Sequence, residues 1–255
     1  GGQIDLGAPR LEIRTPDKNA YLKGSITISG TAEDDTGLNR IFLTLKKRSG
    51  EVLLEQEVPV VNKTYSLTLD TTSGVYDGEI LVALKATDGF NKSVDQTTPV
   101  FIDNKAPTVL VTAPLTRNSG TPPQYTNSID LKGEVYDQSP LVDVSVTLLK
   151  PDGSVLAGPQ KADGTNTWTT RFNLKDEISG DPLIPGLADD TIYRYKVDVT
   201  DAAGNQNTYY FHRQDVMTLK NNVNPTAPFP SMNEIGLIDQ NGTTGAVSGI
   251  TATAL

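Results

Sequence analysis

The side chains of this sequence with the most chemistry to offer are aspartate and asparagine, and they recur where hydrophobic runs end. Asp103-Asn104 follows Ile102, Asp137 follows Val135-Tyr136, and Asp201 follows Val199-Thr200. Asp5, Asp34-Asp35 and Asp88 stand in like positions earlier in the chain. Their oxygens are hard donors of the kind a divalent cation takes, and they are equally able to cap turns by accepting N–H bonds from their own loop. Both readings stand at the level of sequence.

Other chemistries find few residues. The single histidine, His212, sits in a Tyr-rich segment that reads as a strand, and the absence of cysteine removes thiol nucleophiles, thiolate metal sites and disulfides. There is no Gly-x-Ser-x-Gly elbow, His-Glu-x-x-His helix or Walker loop. Glu33, Asp34 and Asp35 could in principle supply the paired carboxylates of a glycosidase, but no aromatic cleft accompanies them and they read as a solvated turn. Trp168 could stack on a sugar, yet its inward register assigns it to a core. Sequons at Asn62, Asn91 and Asn241 are short enough to arise by chance. The chain is expected not to be an enzyme.

The acidic residues are spaced by a repeat. Residues 25–70 slid by 103 positions bring Ser25-Ile26, Gly30, Asp34, Leu38, Thr44-Leu45 and Val52-Leu53 onto Ser128-Ile129, Gly133, Asp137, Leu141, Thr147-Leu148 and Val155-Leu156. The same register sets Tyr65 on Trp168 and Leu69 on Phe172. A period near 100 residues is domain-sized, so each copy should carry its own core.

Alternation defines the strands within each copy. In the first, Leu11 and Ile13, Ile26 and Ile28, Ile41 to Leu45, Tyr65 to Leu69, Ile80 to Ala86, and Val100 and Ile102 repeat with period two. In the second the series is Val109 and Val111, Ile129 and Leu131, Val144 to Leu148, Trp168 to Leu174, Tyr193 to Val199, and Tyr210. One buried and one wet face per strand, about seven short strands per copy, predicts an all-β fold of tandem β-sandwiches. Gly50 and Asp152-Gly153 mark hairpin tips.

Composition agrees. Aromatics make up 6% of 255 residues, and 22 glycines and 16 prolines favour turns over helices. A net charge of −9 leaves no basic stripe for phosphates, which disfavours nucleic acid. No run of about 20 apolar residues exists to insert in a membrane. The chain opens Gly1-Gly2-Gln3 with neither initiator Met nor signal peptide, and is expected to be a fragment or a mature product.

A linker motif sets the boundaries. Ile4 to Pro9, Ile102 to Pro107 and Val223 to Pro228 share a hydrophobe, an Asp or Asn and an Ala-Pro, and proline suits entry to an edge strand. The expected division is the end of a preceding linker at 1–7, one sandwich at 8–104, a second at 105–222, and at 223–255 a linker with either the start of a third module or a flexible tail. The second copy gains residues at Arg117 to Pro123 and ten more within Lys175 to Pro185. Long loops on a rigid scaffold suit recognition, although neutral drift also produces them.

Ser25 to Leu38, Ala86-Thr87-Asp88-Gly89-Phe90-Asn91 and Val199-Thr200-Asp201-Ala202-Ala203-Gly204-Asn205 resemble the B-strand and F-strand exits of bacterial Ig-like (Big/cadherin-like) domains. The Asp-Asn-Lys-Ala-Pro joint resembles the linker that precedes each copy in such arrays. The resemblance implies Ig-like sandwiches in an extracellular or cell-surface bacterial protein. In that fold the B–C and F–G turns lie where the chain enters, so Asp103, Asn104, Asp137 and Asp201 are expected to form a Ca²⁺ site, with Asp5, Asp34, Asp35 and Asp88 a weaker equivalent.

The leading functional expectation is a non-catalytic spacer or stalk with adhesive surfaces. Its partners would be a host or neighbouring-cell surface protein or glycan, and further Ig-like modules of the same chain. The alternatives are accessory modules of a secreted polysaccharide- or protein-degrading enzyme, and a subunit that assembles by strand addition.

Overall fold

The computed structural model describes residues 7–113, 127–188, 191–210 and 217–218. Asp5, His212, Asn241 and the expected start of a third module lie outside them. The chain divides into two compact units, one running to Lys105 and including Ala202–Asn205, the other beginning at Ala106.

The first unit holds strands β1 (Arg10–Thr15), β2 (Tyr21–Leu22), β3 (Ser25–Glu33), β4 (Leu38–Lys47), β5 (Val52–Val58), β6 (Thr64–Asp70), β7 (Gly78–Asp88) and β8 (Ser93–Ile102). They form two sheets, ordered β1-β3-β6 and β2-β8-β7-β4-β5. The alternating residues expected inward do face inward: Ile26 and Ile28 from one sheet meet Ile41, Leu43, Leu45, Val82 and Leu84 from the other in a single core. Polar residues between them face water, which is what fixes each register, because a one-residue slip would turn the apolar set outward. β2 and β5 add to the strands expected. β2 pairs with β8 in parallel, with Tyr21 opposite Phe101 and their rings stacked 4.9 Å apart.

The second unit holds β9 (Thr108–Ala113), β10 (Ser128–Tyr136), β11 (Leu141–Leu149), β12 (Val155–Lys161), β13 (Asp163–Gly164), β14 (Thr167–Asn173), β15 (Ile192–Asp201), β16 (Gln206–Tyr210) and β17 (Met217–Thr218). One sheet runs β13-β14-β10-β9, and the other β12-β11-β15-β16 with β17 against β15. Ile129, Leu131, Val146, Leu148, Trp168 and Tyr195 are its buried centre. Both units are therefore Ig-like β-sandwiches. One inward assignment fails: Tyr210 is 43% exposed, while Asn207 and Tyr209 are buried. Asn207 finds hydrogen-bond partners inside, and that lets a polar residue take a core-facing position.

The matched glycines of the repeat have one physical cause. Gly30 pairs with Tyr65 across β3 and β6, and Gly133 with Trp168 across β10 and β14. A Cβ on Gly30 would meet the Glu12 carbonyl and the Tyr65 hydroxyl, and one on Gly133 would sit 2.5 Å from the Trp168 ring. Each glycine leaves the space into which the aromatic ring lies across its own strand.

Candidate functional site

Asp137 lies in the turn between β10 and β11, and Asp201 is the last residue of β15. β11 and β15 are paired, with Leu141 opposite Asp201, so the two turns emerge at one end of the second unit. Carboxylate oxygens of Asp137 and Asp201 come within 4.8 Å of each other. Asp137 Oδ1 accepts the Ser139 N–H at 2.7 Å, and Asp201 is buried. Two carboxylates this close, one of them out of water, repel unless a proton, a donor or a cation lies with them.

Asp103 follows β8 in the first unit and is fully buried. Its N–H donates to the Leu22 carbonyl at 2.8 Å, and its Oδ1 accepts the Lys105 N–H at 3.0 Å. The Asn104 side chain serves the backbone of the same unit: Oδ1 accepts from Gly24 N–H at 2.7 Å and Nδ2 donates to the Thr71 carbonyl at 2.8 Å.

The corresponding turns of the first unit hold Asp34 and Asp88. Asp34 Oδ1 accepts from the Thr36 N–H and hydroxyl, at 2.8 and 2.6 Å. Asp88 Oδ1 accepts from the Phe90 and Lys92 N–H groups, both at 2.8 Å, while its buried Oδ2 has no hydrogen-bond partner. Asp35 is exposed. Turn capping is thus visible at Asp34, Asp88, Asp103 and Asp137, as the carboxylate chemistry of such loops allows.

Glu33 belongs to a different arrangement. It pairs with Lys63 at 2.7 Å, and that hydrogen bond holds its carboxyl below the ordinary glutamate range. Glu33, Asp34 and Asp35 do line a hollow, together with Gly7, Ala8, Arg10 and Lys63, and no aromatic residue is among them. Trp168 is 1% exposed and offers no stacking face to a ligand.

Two residues of β16 carry weight that alternation of apolar residues did not reveal. Asn207 Nδ2 donates to the Pro107 carbonyl at 3.1 Å, and the Tyr209 hydroxyl donates to the same oxygen at 3.0 Å. Both hold the entry of the chain into the second unit. The spacing Asn207-x-Tyr209 was the available signal, since residues two apart in a strand share a face.

These acid-tipped turns and sandwich registers can be set beside known proteins. The second unit matches the bacterial Ig-like domain family, over residues 124–218. Among solved structures, the chain is similar to the fibronectin(III)-like modules of Clostridium thermocellum CbhA, at 13% identity, covering 83% of this chain and 94% of that one with a TM-score of 0.40. A structure from a 1.5-MDa bacterial ice-binding adhesin shares 18% identity over 85% of this chain and 66% of that one, with a TM-score of 0.41. A tetra-tandem repeat from the extending region of a large adhesion protein shares 19%, over 83% and 48%, with a TM-score of 0.33. No curated protein matches the chain. No helix among the described residues is long and apolar enough to cross a membrane.

Proposed function

We propose that the chain is a non-catalytic extracellular segment of a bacterial surface or secreted protein, acting as a spacer and presenting adhesive surfaces. The match of residues 124–218 to the bacterial Ig-like domain carries this reading. The repeat supports the spacer role, because a module that buries its own core can be strung in series without remodelling its neighbour. The adhesive role draws on the polar loops and strand faces that such a scaffold presents. A host or neighbouring-cell surface protein or glycan is the partner class.

Antibodies raised against this chain should label intact source cells or their medium, and excess purified chain should compete with those cells for their attachment surface. Labelling only after lysis would overturn the location. Undiminished attachment in the presence of the chain would overturn the adhesive role and leave the spacer.

Calcium belongs to the same proposal. Asp137 and Asp201 would supply carboxylate oxygens in the second unit, Asp34 and Asp88 in the first, with Asp103 and Asn104 as further donors in the sequence. Ca²⁺ at about 100 times its Kd should raise the unfolding free energy by about 2.7 kcal/mol. Asp201→Asn should reduce that gain, and an unchanged melting temperature at millimolar Ca²⁺ would sink the assignment.

A further inference from the structure

The ten residues gained by the second unit form an ordered finger. Lys175 and Pro182 bridge at its base. Above them Asp176 N–H donates to the Asp181 carbonyl at 2.9 Å, and Gly180 N–H returns to the Asp176 carbonyl at 3.0 Å. Asp176 Oδ1 accepts the N–H groups of Ile178 and Ser179, at 2.9 and 2.8 Å, bonds that hold its carboxyl below the ordinary aspartate range. Leu174, Ile184 and Leu187 root the finger in the core. At the tip of this scaffold Ile178 is 98% exposed, with Leu183 half exposed beside the base. A loop left to drift is free to turn such a side chain inward, whereas here backbone bonds on both sides hold it out. Glu177 and Asp181 flank it, both exposed, so the tip is one apolar side chain in an acidic collar.

The first unit carries a surface of the opposite character. On the outer face of its larger sheet, Phe42 lies opposite Lys85 and Thr44 opposite Ala83, with Val52 on the neighbouring edge strand. The small side chains there sink a groove of about 540 Å³ whose lining includes Phe42, Val52 and Ala83 together with the cations Arg40, Lys46 and Lys85. Glu55 and Asp95 also line it and are outnumbered by the cations. On a chain of net charge −9, this groove has a local excess of one positive charge beside the Phe42 ring. Its chemistry complements an apolar tip with acidic flanks, and the finger supplies one.

We propose that the Ile178 finger of one copy of this chain docks in the Phe42 groove of a second copy. The two patches differ, so the contact is heterologous, and each copy keeps a free finger or a free groove with which to extend the assembly head to tail. One apolar anchor with charged flanks makes a small, weak interface, which suits many copies held side by side on a surface, where linkage raises effective concentration. The inference does not depend on where the protein resides.

Sedimentation of the full chain at low salt, up to about 1 mM because interfaces of this size are weak, should show a weight-average mass that climbs with concentration and falls when salt is added. Ile178→Asp and the double variant Lys46→Glu/Lys85→Glu should each remain monomeric, with unchanged circular dichroism since all three sites face solvent. Mixed in equal amounts, the two blocked variants should associate again and stop at dimers, because only one finger and one groove per pair remain. A wild-type chain that stays monomeric overturns the proposal. So does association that survives Ile178→Asp, or a mixture that fails to recover.

Discussion

The two units solve one packing problem with different aromatic residues. On the rung where a glycine faces an aromatic, the first unit uses Tyr65, whose hydroxyl donates to the Glu12 carbonyl at 2.8 Å. The second uses Trp168, whose buried Nε1 has no hydrogen-bond partner. Tyrosine adds a polar tether between β1 and β6, whereas tryptophan relies on buried area alone and leaves a donor unmet. The rung therefore requires a flat ring over a missing Cβ, and it tolerates either polar arrangement at the far end of the ring.

Truncating the ring should break the comparison most. Trp168→Ala should cost about 3–5 kcal/mol and Tyr65→Ala an amount at the lower end of that range, read from urea unfolding by circular dichroism. Equal costs would show that ring size does not matter on this rung.

Filling the space beneath the ring comes next. Gly30→Ala and Gly133→Ala should each cost about 3 kcal/mol, since the new methyl group must displace backbone as well as ring atoms. The chain has a single tryptophan, so Trp168 fluorescence reports the second unit. Gly133→Ala should move that fluorescence transition, and Gly30→Ala should move the part of the dichroism transition that fluorescence does not follow.

Tyr65→Phe isolates the tether, and the loss of one hydrogen bond predicts about 1 kcal/mol near neutral pH. Burial pushes the Tyr65 phenol up to about 12. The folded protein then holds this proton at pH values where the unfolded chain, titrating near 10, releases it. Stability contributed by the neutral phenol is complete below pH 10 and is lost as pH rises toward 12. Tyr65→Phe should flatten that alkaline decline, and a decline unchanged in the variant would assign it to other groups.

The smallest effect concerns two exposed ion pairs of the first unit. Lys63 holds the Glu33 carboxyl low, and Arg48 does the same for Glu79. A depressed carboxyl stabilises the fold above its unfolded value and gives that up as pH falls through its folded value, so a shallow loss should appear below about pH 4.5. Lys63→Met should remove part of that slope and change little at pH 7, because solvent and salt screen exposed pairs.

Much of this fold could be read from residue order, and the exceptions share a cause. Ile41-x-Leu43-x-Leu45 and Val144-x-Val146-x-Leu148 declare their faces because apolar and polar residues alternate without a break. Tyr210 misled because its strand buries Asn207 and Tyr209, and a polar residue inside a sheet is invisible to a pattern built on hydrophobicity. β2 is two residues long, too short to show any period. For the site, the shared shift of Asp34 and Asp137 marked the turns correctly, since a turn residue keeps its place in a repeat. The use of Asn104 as a clamp on Gly24 and Thr71 was not legible, because those partners are distant in sequence and only the closed sandwich brings them near. Ile178 was readable as part of an insertion but not as its exposed tip, which depends on the way Asp176 folds the loop back.

The parallel pairing of β2 with β8 has a consequence for a protein under load. Asn19 N–H bonds the Pro99 carbonyl, Phe101 N–H the Ala20 carbonyl and Asp103 N–H the Leu22 carbonyl, at 2.7 to 2.9 Å. β2 lies near the beginning of the first unit and β8 at its end, so tension applied to the two termini would pull these strands past each other along their length. Three bonds would then bear the force together instead of opening one by one, and the Tyr21–Phe101 stack would slide with them. Drag or tethering that reached β2 past β1 would load this seam in shear, making a strand of two residues one fastener of the first sandwich.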